Sequence, residues 1–155
     1  MEEYQDFEEF LRLLEKHKVE YLIVGGYAVT FHSRPRLTED LDIWINRSKS
    51  NSKKIFEALK EFWFGKIDLE PKDFMEKELI LQIGYKPVRI DILTNIDGLK
   101  FEDAYKKSIK GLFYGKVNAR YLDKESLIKN KTLAGRRKDF EAINWIADST
   151  KKRKK

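Results

Sequence analysis

Two stretches decide how this chain folds: VGGYAV at residues 24–29 and TEDLDIWI at residues 38–45. An apolar run, Tyr21–Val24, leads into the first stretch and is typical of a short buried strand. The double glycine then ends this strand, and we expect a short helix over residues 27–32. The second stretch alternates apolar and polar residues, which predicts another strand over Asp40–Ile45. Two strands joined by a helix and a loop are therefore expected at the centre of the fold.

The second of these strands places Asp40, Asp42 and Trp44 on one face, because side chains alternate along a strand. Adjacent carboxylates repel each other unless a cation or a donor lies between them, and hard cations such as Mg²⁺ prefer oxygen ligands. Residues 88–93 repeat the pattern, with apolar residues on one face and Asp91 on the other. If the two strands are neighbours, three carboxylates converge, and a two-metal site about 3.5–4 Å across is expected. The alternative is that Asp40 and Asp42 are ordinary polar residues beside a loop, since short motifs often match by chance.

The double glycine, Gly25-Gly26, lies where a strand gives way to a helix. Glycine permits positive φ and close backbone approach, and the N–H groups at a helix start can bind a phosphate. The downstream Gly-Lys-Ser/Thr of a Walker P-loop is missing, and the dinucleotide-binding fingerprint is also not matched. On its own the glycine pair predicts only a turn.

Periodicity, capping residues and turn signals predict the remaining elements. They are helices over 4–18, from residue 49 or 51 to about 62, and over 101–108, 124–133 and 138–148, a single turn over 71–74, a hairpin of strands 78–83 and 88–93, and a second hairpin of strands 112–114 and 117–122. Ser48 or Ser50 can cap the second of these helices, Asp123 can cap the fourth, and Gly135 can end it. The order of elements predicts an α+β fold with a mixed sheet flanked by helices, in one domain over residues 1–150.

Composition excludes several classes of protein. The chain has 155 residues, which fits one domain, and it contains no cysteine for a disulfide or a thiolate metal site. No apolar run approaches the roughly 20 residues of a membrane-spanning helix. The acidic N-terminus lacks the pattern of a secretory signal. We therefore expect a cytoplasmic protein without a membrane partner.

The net charge of +6 comes mostly from the last five residues, all of which are basic. Without them 32 basic residues fall to 27, against 26 acidic ones. A tail such as 151–155 is typical of a solvated, disordered end, and it can also add unspecific affinity for polyanions. The body of the chain does not have the charge of a basic nucleic-acid-binding domain.

In combination, these motifs resemble the nucleotidyltransferase superfamily, whose fold is shared with DNA polymerase β. That superfamily combines an apolar residue and Gly-Gly or Gly-Ser with a short helix, Asp-x-Asp or Asp-x-Glu, and a later carboxylate on a strand. The details are most similar to a small bacterial and archaeal branch that includes the nucleotidyltransferase toxins of abortive-infection systems. Matching segments are residues 25–28 (GGYA), residues 36–42 (RLTEDLD), Asp91, Lys131 and residues 136–139 (RRKD), where Arg137 replaces the usual proline. The resemblance covers about residues 21–147, and it implies C-terminal helices that close the domain.

The resemblance implies that the carboxylates are catalytic. Asp40 and Asp42 would bind two Mg²⁺ ions, with Mn²⁺ as an alternative. Asp91 would complete one of the two sites and help to deprotonate the acceptor hydroxyl. Gly25 and Gly26 would shape the pocket for a triphosphate.

The resemblance also implies roles around the pocket. Arg36 and Thr38 would lie at its edge, and Lys131 would contact a phosphate. Lys138 and Asp139 would order the closing helix against the nucleotide. A surface role remains open for Arg36, Lys131 and Lys138, and Asp139 can instead cap the last helix.

The implied reaction is the transfer of a nucleoside monophosphate from an NTP to a hydroxyl, with release of pyrophosphate. The acceptor can be an RNA 3′ end, a protein hydroxyl or a small alcohol such as an antibiotic. Two alternatives keep the same fold, a non-catalytic module that binds a nucleotide or a partner, and a component of a toxin–antitoxin pair. The Gly-Gly form argues against the short antitoxin branch, which usually has Gly-Ser.

Overall fold

A computed structural model describes residues 2–34, 38–63, 68–85 and 88–134 of the chain. The helices and strands among these residues follow each other in the order α1 Glu2–Lys16, β1 Tyr21–Val24, α2 Gly25–His32, β2 Asp40–Ile45, α3 Lys49–Phe62, a 3₁₀ helix Pro71–Met75, β3 Ile80–Tyr85, β4 Val88–Leu93, α4 Phe101–Lys106, β5 Ile109–Phe113, β6 Val117–Tyr121 and α5 Lys124–Ala134. Among the described helices, none is long and apolar enough to cross a membrane.

The described strands form a single six-stranded sheet in the order β3-β4-β2-β1-β6-β5. Strand β2 runs parallel to β4, and β1 runs parallel to β6. The other neighbouring pairs are antiparallel, and two of them, β3–β4 and β5–β6, are the predicted hairpins. The predicted α+β fold with a mixed sheet is therefore confirmed.

Helices cover both faces of the sheet. On one face, the apolar sides of α1 and α3 share a core with Leu41, Ile43 and Ile45 of β2. On the other face, residues of α2, α4 and α5 pack around Leu22 and Trp44. The predicted inward-facing residues of β2 are confirmed, and the face that carries the carboxylates is also covered at its Trp44 end.

Two helix starts follow the predicted capping chemistry. The hydroxyl of Ser48 accepts a hydrogen bond of 3.2 Å from the backbone N–H of Asn51, so Ser48 rather than Ser50 caps α3. A carboxylate oxygen of Asp123 accepts a hydrogen bond of 3.3 Å from the backbone N–H of Ser126 at the start of α5. These caps fix where the two helices begin.

Several element boundaries differ from the sequence prediction for local reasons. Helix α1 ends at Lys16 rather than at residue 18, because Lys18 adopts a left-handed backbone with φ of 56°. Helix α2 begins at Gly25 and so includes both glycines. Strand β5 begins at Ile109, three residues earlier than predicted, because this edge strand leaves apolar residues exposed and lacks clean alternation.

Other predicted features lie outside the described residues. They are the helix over residues 138–148, Gly135 as the end of α5, and the basic tail 151–155.

Candidate metal and nucleotide site

The site begins with the pairing of two parallel strands, β2 and β4. Asp42 lies directly opposite Asp91 in the register, and Asp40 lies opposite Arg89. As a result, carboxylate oxygens of Asp40, Asp42 and Asp91 all lie within 4.8 Å of one another. The convergence that the sequence predicted is present.

The apolar residues of the same strands determine this register. Leu41 and Ile43 of β2 and Ile90 and Ile92 of β4 are buried, between 0% and 2% exposed, on the opposite face of the sheet. Shifting either strand by one residue would move its apolar side chains to the cavity side and its carboxylates into the core. Core packing therefore holds the three carboxylates together despite their mutual repulsion.

The two glycines make room for the groups around them. Gly25 has φ of 67°, and a Cβ atom at this position would collide with the carboxylate of Asp42. A Cβ atom at Gly26 would lie 2.8 Å from Cγ2 of Thr38. The glycine pair thus lets the start of α2 lie directly against the carboxylate cluster.

The segment that enters β2 is tied to α2 by one hydrogen bond. The hydroxyl of Tyr27 donates to the backbone carbonyl of Thr38 at 3.3 Å. This bond holds Thr38 beside the glycine turn.

Arg89 is a site residue that the sequence prediction missed. Its Nε lies 2.9 Å from Oδ1 of Asp91, and its Nη2 donates to Oδ2 of Asp91 at 3.1 Å. The same Nη2 lies 3.5 Å from Oδ2 of Asp40. The signal was available in the sequence, because Arg89 precedes Asp91 by two residues and must share its face.

The three carboxylates carry more negative charge than the positively charged side chains around them compensate. Burial, followed by the negative charge of Asp40, raises the pKa of Asp42 to about 8. Burial also raises the pKa of Asp91, although the Arg89 guanidinium opposes this effect. A cluster of oxygen donors that retains a proton near neutral pH is suited to a hard divalent cation, which would take the place of that proton. The donor set therefore fits Mg²⁺ or Mn²⁺.

Lys131 supplies a second positive charge. It lies on α5, is only 7% exposed, and lowers the pKa of Asp42 by its charge. The alternative of a surface role for Lys131 is therefore wrong. A buried lysine beside a carboxylate cluster can interact with a phosphate bound there.

One cavity of about 920 Å³, which is at the upper end of the range for small-molecule sites, is bordered by the two glycines, Thr38, the three carboxylates, Arg89 and Lys131. One part of its wall consists of the glycine turn, Thr38 and the carboxylates. Polar side chains that the sequence prediction did not single out complete it, namely Gln82, Asn95 and Asn130. The cavity can therefore hold a ligand much larger than a metal ion.

Three predicted site residues lie outside the part of the chain that the structure describes: Arg36, Lys138 and Asp139. Their predicted roles remain predictions.

The comparison with known families agrees with this geometry. The model of a family described as "Nucleotidyl transferase of unknown function (DUF2204)" matches residues 3–155. No curated protein matches the sequence significantly. The six-stranded mixed sheet with flanking helices is consistent with a nucleotidyltransferase fold. With nearly its whole length matched, the chain belongs to this nucleotidyl transferase family.

Proposed function

We propose that the protein is a divalent-metal-dependent enzyme that transfers a nucleoside monophosphate from an NTP to an acceptor hydroxyl. The observation that carries this proposal is the cluster of Asp40, Asp42 and Asp91 at the wall of a large polar cavity, with their oxygens within 4.8 Å of one another. The family assignment supports the type of reaction.

The carboxylates are the residues that would hold the metal. Asp40 and Asp42 can each offer an oxygen to one or two Mg²⁺ ions, and Asp91 completes the donor set. When bound, the metal would offset the charge of the reacting phosphates and of the pyrophosphate that leaves.

The chain's own residues would position the substrate. The start of α2 offers backbone N–H groups at Gly25 and Gly26, where the missing side chains let phosphates approach closely. Lys131 offers a buried positive charge on the side of the cavity formed by α5. Phosphoryl transfer depends mainly on such positioning and charge compensation, so this arrangement suits the reaction.

The proton and bond changes can be assigned to this site. The acceptor oxygen would form a bond to the α-phosphorus. At the same time the bond between the α-phosphorus and the oxygen that bridges it to the β-phosphate would break, and pyrophosphate would leave with that electron pair. The acceptor proton would pass to a carboxylate oxygen of the cluster, for which Asp91 on β4 is the candidate, and then to water.

The experiment is transfer of label from α-³²P-labelled NTPs in the presence of Mg²⁺ or Mn²⁺. Acceptors are tested by class: a mixture of RNAs, cell proteins including the chain itself, and small alcohols including aminoglycoside antibiotics. We expect label transfer by the wild type, its loss in Asp42→Asn, and no loss in Asp103→Asn, which changes an exposed carboxylate on α4.

Other outcomes would identify the alternatives. Nucleotide binding in calorimetry without transfer to any acceptor class would contradict catalysis and indicate a non-catalytic module. Growth arrest on expression, relieved by Asp42→Asn, would indicate that the transfer reaction serves a toxin.

A further inference from the structure

The guanidinium of Arg89 contacts two of the three candidate metal ligands. It engages both oxygens of Asp91, at 2.9 and 3.1 Å, and one oxygen of Asp40 at 3.5 Å. A residue that only held Asp91 in place would need only the first two contacts. The third contact places the positive charge across two carboxylates, as a bound cation would be.

The surroundings of Arg89 allow its side chain a second position. Its backbone is fixed, because Arg89 pairs with Asp40 and Gly84 in the sheet and its N–H donates to the carbonyl of Glu39 at 3.3 Å. Directly opposite residues on neighbouring strands share a face, and on the β3 side that residue is Gly84, which has no side chain. The side chain of Arg89 is 22% exposed and lines the cavity. The guanidinium therefore borders the cavity, and no β3 side chain stands directly opposite it.

The charges favour such a movement when a divalent cation binds. An arginine and a divalent ion that share the oxygens of Asp40 and Asp91 repel each other at short range. An arginine remains charged at any relevant pH, so this repulsion is relieved by displacing the guanidinium and not by loss of a proton.

We propose that Arg89 is an internal counter-cation that the divalent metal must displace from Asp40 and Asp91. In the metal-free protein Arg89 holds the carboxylates together, and on metal binding its guanidinium turns away from Asp40. Arg89 thereby sets the metal concentration at which the site fills. This inference rests on the proposed function, since it assumes that the carboxylate cluster binds a metal.

The test is Mn²⁺ binding to the metal-free protein, measured by electron paramagnetic resonance of free Mn²⁺ without nucleotide. We expect Arg89→Gln to bind Mn²⁺ about tenfold more tightly than the wild type. Arg89→Lys keeps the charge but loses the bidentate contact, so its affinity should lie between the two. A matched control is Arg120→Gln, which removes the same charge from β6, where Arg120 contacts Ser108 and Tyr105.

A second readout follows the unfolding temperature with and without Mn²⁺. Arg89→Gln should be less stable than the wild type without metal, and Mn²⁺ should raise its unfolding temperature by more. If Arg89→Gln does not fold without metal, Arg89→Lys carries the test, again with tighter Mn²⁺ binding expected.

The outcomes separate this inference from the proposed function. Equal or weaker Mn²⁺ binding by the Arg89 variants, with binding by the wild type, would show that Arg89 merely positions Asp91; it would overturn the inference and leave the metal site intact. No Mn²⁺ binding by the wild type or by the Arg89 variants would overturn the inference, and if binding stays absent after a non-hydrolysable NTP analogue is added, the proposed function is overturned as well. Binding by Arg89→Gln but not by the wild type would support the inference strongly.

Discussion

The two ends of one strand face differ in nearly every physical respect. At one end of β2, Asp40 and Asp42 border a large polar cavity and repel each other, and Asp40 also contacts the guanidinium of Arg89. At the other end, Trp44 is 1% exposed and packs edge-to-face against Phe101 of α4, with ring centroids 5.1 Å apart. One face of a single β-strand therefore stabilises the fold at one end and forms the candidate site at the other.

The two ends oppose each other energetically. Burying a tryptophan stabilises the fold by several kcal/mol. Holding three carboxylates together destabilises the metal-free fold, as the raised pKa of Asp42 indicates. Substitutions at each end of β2 can measure the two contributions separately.

The largest effect is expected for catalysis at the carboxylate end. Asp42→Asn removes the negative charge of one carboxylate that would bind the metal and keeps the size of the side chain. The value of kcat/KM for label transfer should therefore fall by about 10³-fold or more. Far-ultraviolet circular dichroism should show an unchanged fold. Retention of more than a tenth of the activity would show that Asp42 is not part of the catalytic centre.

At the Trp44 end we expect loss of stability. Trp44→Ala should lower the free energy of unfolding by about 3–5 kcal/mol, because it empties the space between β2 and α4. Urea unfolding in the absence of metal measures this. Trp44→Phe keeps most of the contact with Phe101 and should cost much less, and equal losses in the two variants would argue against a packing role.

A smaller effect of opposite sign is expected for the stability of Asp42→Asn. The pKa of Asp42 is about 8 in the folded protein and 3.8 ordinarily, so between these values the folded state binds a proton that the unfolded state has released. The contribution of Asp42 to stability therefore falls as the pH rises from about 4 to about 8. Each unit of pKa difference corresponds to about 1.4 kcal/mol of stability. Solvent screening reduces the summed effect, because Asp42 is only half-buried. Asp42→Asn should therefore be more stable than the metal-free wild type by about 2 kcal/mol at pH 8.5.

The measurement is urea unfolding of both proteins at pH 5 and pH 8.5 in the presence of a chelator. The difference between the variant and the wild type should be small at pH 5 and larger at pH 8.5, and 10 mM Mg²⁺ should reduce it by stabilising the wild type. A difference that does not grow with pH would contradict the charge conflict at Asp42.

The smallest effect is expected for Gly26→Ala. Its Cβ atom would lie 2.8 Å from Cγ2 of Thr38, a contact that a small movement of this segment can relieve. We expect a destabilisation of about 1 kcal/mol and a rise in KM for the NTP that exceeds the fall in kcat. Steady-state kinetics over a range of NTP concentrations distinguishes this from a purely structural effect, which would leave KM unchanged.

Local patterns were sufficient for the parts of the site that depend on strand alternation. The faces of β2 and β4 follow from alternation, and the pairing of Asp42 with Asp91 follows once the two strands are neighbours. The family resemblance, which the family match confirms, supplied the reason to expect them as neighbours.

What the sequence did not predict depends on contacts between distant segments. Trp44 was expected to share the carboxylate face, but its cover comes from Phe101, more than fifty residues away. The ion pairs of Arg89 depend on the packing of β4 against β2, and the polar wall at Gln82 and Asn130 depends on where β3 and α5 lie. Such placements are set by tertiary packing, which periodicity does not report.

If the protein has the proposed function, the carboxylate cluster binds a divalent metal together with an NTP, and a crystal structure of that complex would show this. Crystals grown with Mn²⁺ and a non-hydrolysable NTP analogue are measured at a wavelength where manganese scatters anomalously. We expect an anomalous peak about 2.2 Å from oxygens of Asp40 and Asp42, with the triphosphate beside Gly25 and Gly26. A bound nucleotide without an anomalous peak at these carboxylates would contradict the proposed function.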